Sequence, residues 1–203
     1  LGAPAELGLD DLAVVREDLR HLRGDVRGVQ LDEPALAADG WQLPRAELVA
    51  ALETVYARLS YPAPRPQILV TVGYGDAGED AQLALARTDV DALAVDLDRG
   101  DVPGEAALRA WGERPVVAGV VGGRTVWRTD LARAVQKLDL LRSRAHGPVA
   151  VGTATPLLHV PHDAARETGL DPAVRAWVAF ADQKVGEVVE LARGVEQGWE
   201  TVA

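Results

Sequence analysis

The sequence predicts an α/β fold, a partial (β/α)8 barrel of the TIM type with about five parallel βα units. Three observations predict it. Five short segments rich in β-branched residues are bounded by turn residues, as buried strands are. Stretches with the apolar period of helices lie between them, and this alternation is typical of parallel sheets. A whole barrel takes about 250 residues and eight strands, so a chain of 203 residues accounts for part of one.

The predicted strands are residues 28–31, 67–72, 92–97, 115–121 and 148–153. Apolar side chains alternate with small or polar ones in three of them, at 29–32, 93–96 and 149–153. The run Leu-Ala-Val-Asp at 93–96 places Leu and Val on one face and Ala and Asp on the other. An open, doubly wound sheet is covered by helices on both faces and is apolar on both. A barrel strand can carry small and polar side chains inward, so the alternation favours the barrel over the open sheet.

Two helices are predicted between the strands. The first has its apolar face over residues 48–59, and the second has its apolar face over residues 131–141. Thr129 and Asp130 precede the second, and a residue of either type is a good N-cap. Both helices are therefore expected to pack one face against the sheet.

A third helix is predicted near the end of the chain. Asp171 suits the N-cap and Pro172 suits the first helical position. An apolar stripe then continues to Leu191. Either Gly194 or Gly198 is expected to end this helix, because glycine is common just after a helix terminus.

The composition is that of a globular protein and excludes several classes. Hydrophobic residues make up 48% and charged residues 26%, unlike a disordered or fibrous chain. The net charge of −10 leaves no basic surface for nucleic acid or an anionic membrane. The lack of Cys excludes disulfides, thiolate metal sites and thiol nucleophiles. With no apolar run long enough for a membrane span and no signal peptide, the chain is expected to be cytoplasmic.

The chain is expected to be one domain, residues 1–203, and part of a longer polypeptide. It begins at Leu1 and contains no Met. Three strands of a whole barrel are unaccounted for, and we expect them before Leu1. A parallel sheet of five strands also leaves two edges with unpaired backbone groups. We expect these edges to be covered by self-association with another copy, by exchanged elements, or by sequence outside the chain.

Candidate functional residues lie at the carboxyl ends of the predicted strands, where barrels place their sites. Asp32 and Glu33 end the first strand, and Pro34 favours an extended backbone at Glu33. Two carboxylates at a barrel mouth can bind an ammonium group or act as acid and base. The alternative is a strand-end turn with solvated carboxylates.

Two further candidates follow the third and fourth strands. Asp96 faces the predicted interior, and the alternative to a binding role is a buried Asp paired with an arginine. Arg124 follows Gly122 and Gly123 and precedes a helix, a pattern that can receive an anion, which the arginine would clamp. Because the Lys and Ser/Thr of a phosphate loop are absent, a tight strand-to-helix turn is the alternative.

Two imidazoles and a carboxylate lie close together at His159, His162 and Asp163. Pro161 keeps this segment out of a helix, which excludes the helical two-His metal motif. No further ligand follows at the spacing of a metal site, so no metal site is predicted in the chain. We expect His159 instead to form a hydrogen bond across the barrel mouth.

Three segments occur in an order and spacing known from one family. They are VQLDEPAL at 29–36, GGRTVWRTDL at 122–131, and a stretch from LLHVP at 157–161 to QK at 183–184. Together they resemble cobalamin-independent methionine synthases. The Asp-Glu-Pro sequence occurs in both halves of that family, whereas the Trp-Arg segment belongs to its N-terminal half. The resemblance covers most of the chain.

The resemblance implies an enzyme of two (β/α)8 barrels, joined face to face, that transfers a methyl group from 5-methyltetrahydropteroyltri-L-glutamate to homocysteine. In that family the zinc ligands His, Cys, Glu and Cys lie in the C-terminal barrel, and the N-terminal barrel is a degenerate, supporting copy. This chain resembles the latter part of the N-terminal barrel. Without Cys it cannot supply that zinc site. Zinc is therefore expected in a C-terminal barrel outside the chain, its implied partner, and the isolated chain is not expected to catalyse methyl transfer.

Two other interpretations are open. The chain could be a stand-alone, methionine-synthase-like binding module. In that module Asp32, Glu33, Asp96 and His159 would hold a small ligand that bears an amine or a carboxylate. It could also be an unrelated barrel enzyme of the decarboxylase type, although the Trp-Arg segment argues against this. Arg124 completes the set of candidate binding residues at the barrel mouth.

Overall fold

The computed structural model describes residues 26–38, 43–61 and 65–201. Five strands form one sheet in which every neighbouring pair is parallel. The strands are Gly28–Asp32 (β1), Gln67–Val72 (β2), Ala92–Asp96 (β3), Val116–Val121 (β4) and Val149–Thr153 (β5). Their order in the sheet is their order in the chain. All five predicted strands are confirmed.

Helices alternate with the strands. They are Arg45–Leu59 (α1), Glu79–Ala86 (α2), Glu105–Trp111 (α3), Leu131–Arg144 (α4), Pro172–Arg175 (α5) and Ala181–Gln197 (α6). Short 3-10 turns are Pro34–Ala37, Leu157–His159, Ala164–Arg166 and Trp199–Thr201. The apolar period did not indicate α2 and α3, which are too short to show a full stripe. The alternation confirms the α/β class and is consistent with a partial TIM-type barrel.

The strand register divides the sheet into two unlike faces. On the helix-covered face, the buried side chains of β2 and β3 are Ile68, Val70, Val72, Leu93 and Val95. The opposite face carries smaller and more polar residues. There Asp32 lies beside Thr71, Thr71 beside Ala94, and Asp96 beside Gly119. This difference between the faces is the one that the sequence alternation predicts for a barrel.

The carboxyl ends of β2 and β5 converge. A Cβ added to Gly73, directly after β2, would lie 3.1 Å from the carbonyl oxygen of Ala154, directly after β5. Two strands separate β2 from β5, so in a flat sheet they would be about 14 Å apart. The pairing of β4 with β5 also shifts register between Gly119 and Val121, and such irregularities bend a sheet. The polar face is therefore the inner, concave face.

Helices α1 and α4 form where the apolar period predicts them. The buried side chains of α1 are Val49, Leu52, Tyr56 and Leu59. At the start of α4, the Asp130 side chain accepts a hydrogen bond of 3.0 Å from the N–H of Arg133. The N-cap expected from the sequence is thus present.

The prediction of one long helix from Asp171 is wrong. Asp171 does cap a helix, but this helix is the four-residue α5, and α6 is a separate helix. Between the two, Trp127 and Val178 form an antiparallel bridge. Val178 and Phe180 are buried in a small cluster apart from the main core, and this tertiary contact outweighs the helical period. Gly198, with a φ of 100°, follows α6, as one of the two expected glycines.

Within the described ranges, β1 and β5 are the edge strands, and no further strand pairs with either. Among the described residues, the sheet therefore has the two unpaired edges that the sequence predicts. What covers them stays a prediction, as do the strands expected before Leu1. Among the helices that the structure describes, none is long and apolar enough to cross a membrane.

Candidate functional site at the carboxyl edge of the sheet

The candidate residues all lie at the carboxyl edge of the sheet, but they do not form one cluster. Asp32 and Glu33 lie at the end of β1, Asp96 ends β3, Arg124 follows β4 and His159 follows β5. Parallel strands present their carboxyl ends at one edge, so the sequence places these residues on one side of the fold. Their side chains nevertheless occupy different surroundings.

Asp32 and Glu33 point away from each other. Asp32 is exposed, and Gln30 Nε2 donates a hydrogen bond to its Oδ1 at 2.7 Å. Glu33 turns towards α1, where Tyr56 Oη donates to Glu33 Oε2 at 3.3 Å. Burial raises the pKa of Glu33, and the bond from Tyr56 lowers it in part. The structure therefore does not bring the two carboxylates together as an acid–base pair.

Asp96 is buried, and no arginine in the described part of the chain pairs with it. Its Oδ1 accepts hydrogen bonds from the N–H groups of Asp98 and Arg99, each at 2.9 Å. Burial raises the pKa of Asp96, and these two backbone bonds lower it in part. Within the described residues, the Asp–Arg ion pair that the sequence left open is therefore not observed. Backbone amides hold one carboxylate oxygen and fix the turn after β3.

Tyr74, Arg124 and His159 form a contiguous group, which we call the rim cluster. Tyr74 Oη and His159 Nε2 share a hydrogen bond of 2.9 Å, and their rings meet edge to face. The Arg124 guanidinium lies over the Tyr74 ring, 5.4 Å from its centroid. The three side chains come from the loops after β2, β4 and β5. The hydrogen bond expected of His159 across the mouth is thus present.

The rim cluster has the chemistry to receive an anion. Arg124 and His159 are exposed, and within the described residues neither forms an ion pair with a carboxylate. A guanidinium offers two parallel N–H donors to a carboxylate or phosphate, and an imidazole and a phenol can add hydrogen bonds. Anion binding at Arg124 stays a prediction that this geometry supports.

Sequence reasoning missed Tyr74. Its φ is 70°, and no other residue except glycine has a positive φ in the part of the chain that the structure describes. This backbone costs a residue with a Cβ roughly 1–2 kcal/mol, and such strain concentrates at functional sites. A signal is the run Gly73-Tyr74-Gly75 directly after a strand, since glycines on both sides mark a tight turn.

Helix α6 holds the loop after β4. Lys184 is 1% exposed, and its Nζ donates a hydrogen bond to the carbonyl oxygen of Trp127 at 2.9 Å. One turn further along, Glu187 Oε2 accepts from Thr129 Oγ1 at 2.7 Å. Burial lowers the pKa of Lys184, while Glu187 and Asp98 raise it in part. These two contacts fix the loop that carries the Arg124 side chain of the rim cluster.

His162 and Asp163 serve the local structure. Asp163 Oδ1 accepts hydrogen bonds from Ala165 N at 2.9 Å and from Gln183 Nε2 at 2.8 Å. His162 is exposed, with Nδ1 3.6 Å from Asp182 Oδ2. Across the described ranges, no three His, Asp or Glu side chains are grouped to hold a metal ion. These residues, in a chain without Cys, do not fit the zinc site that the resemblance implies elsewhere.

Fold and site together define a class, an α/β domain consistent with a partial barrel of the TIM type, with a polar cluster at the carboxyl edge of its strands. The family model described as "Cobalamin-independent synthase, N-terminal domain" matches residues 10–146. The chain belongs to this family, and the match lies in the family's N-terminal domain. The resemblance identified from three sequence segments is therefore confirmed.

Curated relatives match the chain from end to end. The 5-methyltetrahydropteroyltriglutamate–homocysteine methyltransferase of Mycolicibacterium paratuberculosis (strain ATCC BAA-968 / K-10) is 46% identical over 100% of this chain and 26% of its own length. The protein of that name in Mycobacterium tuberculosis (strain ATCC 25618 / H37Rv) is 44% identical, with the same coverage. The one in Rhodococcus jostii (strain RHA1) is 42% identical over 98% of this chain. The chain thus spans about a quarter of the length of these relatives.

Proposed function

We propose that the chain is the latter part of the supporting, N-terminal barrel of a methyltransferase. The whole protein would transfer a methyl group from 5-methyltetrahydropteroyltriglutamate to homocysteine and form methionine. The observation that carries the proposal is a match to relatives of that name along 100% of this chain but only 26% of theirs. The family's N-terminal domain model over residues 10–146 supports the same assignment.

The proposal places the methyl-transfer chemistry outside this chain. The thiol of homocysteine is a poor nucleophile until it loses its proton. A metal ion that binds the thiol lowers its pKa and so favours the thiolate. This chain has no Cys, and its described residues offer no group of three or more ligands for a metal ion. We therefore assign it the role of positioning and support, with zinc in a C-terminal barrel of the whole protein.

The proposal treats residues 1–203 as one unit of a larger, closed barrel in the cytoplasm. The edges of β1 and β5 have no strand partner among the described residues, and this supports the proposal because backbone groups at a sheet edge need partners. Further barrel strands of the same protein would pair there. The second barrel would face the carboxyl edge, where the Arg124 guanidinium of the rim cluster, which forms no ion pair within the described ranges, would be available to an acidic group.

A stand-alone binding module is the second candidate. The observation that favours it is the convergence of Arg124 and His159 on Tyr74, since both side chains reach the same exposed rim. Such a rim would hold a small ligand that bears a carboxylate. Titration calorimetry on the full chain with homocysteine and with 5-methyltetrahydropteroyltriglutamate separates the candidates. Saturable heat from the chain alone favours the module, and no heat favours the supporting barrel.

The supporting role is tested in the whole polypeptide that carries this chain. We expect R124A to lower the rate of methionine formation, because the loop after β4 would no longer present a cation to the facing barrel. R109A, which removes an exposed arginine on α3, is the control and should leave the rate unchanged. Equal rates for R124A and R109A would contradict the role assigned to the rim cluster.

A further inference from the structure

Lys184 is a buried ammonium group that has no carboxylate in contact with it. The residue is 1% exposed. Its Nζ donates one hydrogen bond to the carbonyl oxygen of Trp127, although an ammonium group has three N–H donors. Within the described residues Lys184 forms no ion pair. A buried charge without a partner of opposite charge is costly, so this ammonium group calls for a further partner.

The acidic side chains that act on Lys184 do not supply this partner. Asp98 and Glu187 raise its pKa in part, but within the described ranges neither forms an ion pair with it. Glu187 instead accepts hydrogen bonds from Thr129. Asp98 lies against the loop after β4, because a Cβ on Gly122 would be 2.6 Å from Asp98 Oδ2. Attraction at a distance therefore offsets only part of the cost of burial.

Lys184 lines a cavity of about 80 Å³ between helices α4 and α6 and the loops after β3 and β4. A water molecule takes about 30 Å³ in the liquid, so the cavity has room for a few waters or for one small polyatomic ion. Three further basic residues line it, namely Arg128, Arg133 and Lys137. The four come from the loop after β4, from α4 and from α6. Positive charge therefore borders the space from three elements.

These basic side chains also lack ion-pair partners in the part of the chain that the structure describes. Lys137 Nζ donates to the carbonyl oxygens of Leu97 and Gly100, which carry no net charge. Arg133 lies four residues before Lys137 on α4, and like charges at this spacing repel each other. Burial and Arg133 lower the pKa of Lys137, while three aspartates raise it in part. An anion between the two side chains would replace this repulsion by attraction.

The charges of the cavity wall favour a dianion. Against the four basic residues stand two acidic ones, Asp98 and Asp130, which leaves an excess of two positive charges. Asp130 Oδ1 also accepts the N–H of Arg133 as the N-cap of α4. Ammonium and guanidinium groups form strong, charge-assisted hydrogen bonds with oxyanions. A tetrahedral oxyanion presents acceptor oxygens in every direction, which suits donors on three elements better than the two oxygens of a carboxylate do.

We propose that this cavity binds one tetrahedral oxyanion of two negative charges, of the phosphate or sulfate class, with Lys184, Lys137, Arg128 and Arg133 as its cationic partners. The anion would compensate the buried ammonium group and join α6 to α4 and to the loop after β4. The size of the cavity favours the free ion over the phosphoryl group of a larger molecule. The rim cluster does not line this cavity, and the proposal is independent of the methyl-transfer role.

Titration calorimetry of the full chain with sodium sulfate, sodium phosphate and glycerol 3-phosphate tests the site, in chloride buffer at constant ionic strength. We expect one sulfate or phosphate to bind per chain, and glycerol 3-phosphate to bind more weakly. R133Q should weaken the binding roughly tenfold or more, because it removes a charge-assisted hydrogen bond. R142Q is the control, since Arg142 is an exposed residue of the same helix that does not line the cavity. Equal affinity for glycerol 3-phosphate would assign the site to phosphoryl groups of larger ligands.

D98N should change the affinity in the opposite direction. It removes a negative charge from the cavity wall and keeps the shape of the side chain, so sulfate should bind more tightly. K184M should abolish the binding. R133Q makes the same test at an exposed residue, where a substitution is tolerated by the fold. Tighter binding by D98N together with weaker binding by R133Q supports the site.

Thermal unfolding provides an independent measurement. Sulfate and phosphate stabilise proteins in general because they are excluded from the protein surface, whereas binding at one site adds a rise in Tm that saturates. At an anion concentration about ten times the dissociation constant, this rise should be about 4 °C. It should be present in R142Q and absent in K184M. No saturable heat or rise in Tm for the wild type, or equal affinities of R133Q and R142Q, would overturn the proposal and leave water as the occupant.

Discussion

Tyr74 Oη and His159 Nε2 lie 2.9 Å apart although 85 residues separate them in the chain. Their hydrogen bond ties the loop after β2 to the segment after β5, and the Arg124 guanidinium rests on the same tyrosine ring. The rim cluster is therefore a product of the curved sheet, which brings the ends of distant strands together. Under the proposed function, it is the part of the fold that a facing barrel would contact.

Replacing Tyr74 by phenylalanine tests the tie between these loops. Y74F removes the phenol and leaves the ring under Arg124. We expect the free energy of unfolding to fall by about 0.5–1.5 kcal/mol, the net contribution of one hydrogen bond. Urea denaturation measures the change. Y61F is the control, because Tyr61 is 65% exposed, and an effect of equal size in both variants would contradict the account.

The left-handed backbone of Tyr74 leads to a second prediction. Y74G should be more stable than Y74A by about 1 kcal/mol, because glycine adopts this backbone without a Cβ penalty. Both variants lose the phenol, so their difference isolates the backbone. Gly112 provides the reverse test, since it has the same φ of 70° and an added Cβ would meet nothing within 4 Å. G112A should also be less stable than the wild type, because Gly112 combines this φ with a ψ of −142°, a backbone that side chains with a Cβ rarely adopt. Equal stability of Y74G and Y74A would argue against strain.

Glu33 should make the chain less stable as the pH rises through its titration range. Burial raises its folded pKa above the ordinary value, so between the two values the folded state binds more protons than the unfolded state. E33Q should therefore be more stable than the wild type at neutral pH. The gain should vanish below about pH 4, under the ordinary pKa of glutamate. Urea denaturation from pH 3 to 7 measures this, with the exposed E113Q as control. A gain that does not change with pH would contradict the prediction.

Lys184 should have the opposite effect on the pH dependence of stability. Burial lowers its folded pKa, so between that value and the ordinary lysine pKa of about 10.4 the unfolded chain binds more protons. The contribution of Lys184 to the free energy of unfolding should increase with pH between these two pKa values. The stability of the wild type relative to K184M should increase accordingly in denaturation series above neutral pH. R193M, an exposed change on the same helix, should show no such trend, and a flat difference for K184M would refute the assignment.

Arg114 is expected to be a main determinant of stability at the amino end of the sheet. Its guanidinium donates to the carbonyl oxygens of Ala86, Thr88 and Val90 at 2.8–3.0 Å and stacks on Trp111. A lysine cannot reproduce this planar set of donors. R114K should lower the free energy of unfolding by about 2–4 kcal/mol. R109K, at an exposed position, should change it by less than about 0.5 kcal/mol, and similar losses in both would contradict the account.

The five strands and helices α1 and α4 could be predicted because their sequence signals are local. The β-branched segments and the Asp130 N-cap act over a few residues. The third helix could not be placed, because the pairing of Val178 with Trp127 joins residues far apart in sequence. For the same reason, the sequence indicates only part of the rim cluster. Arg124 and His159 stand out in the sequence, but Tyr74 gains its role only when the sheet brings the loops together.

The environment of Asp96 could not be predicted either. The sequence shows an acidic residue at the end of a strand, which suits a binding residue and an ion pair equally well. Only the fold shows that two backbone amides occupy one carboxylate oxygen and that the side chain is buried at the end of β3. Long-range packing therefore decides the role of this residue, and no short sequence pattern reports it.

Methionine formation by the purified 203-residue chain, supplied with homocysteine, 5-methyltetrahydropteroyltriglutamate and zinc, tests the central claim most directly. The account predicts no product from the chain alone and turnover by the whole polypeptide that carries it. Sustained methionine formation by the isolated chain would contradict the account, because its chemistry would then have to lie within these residues.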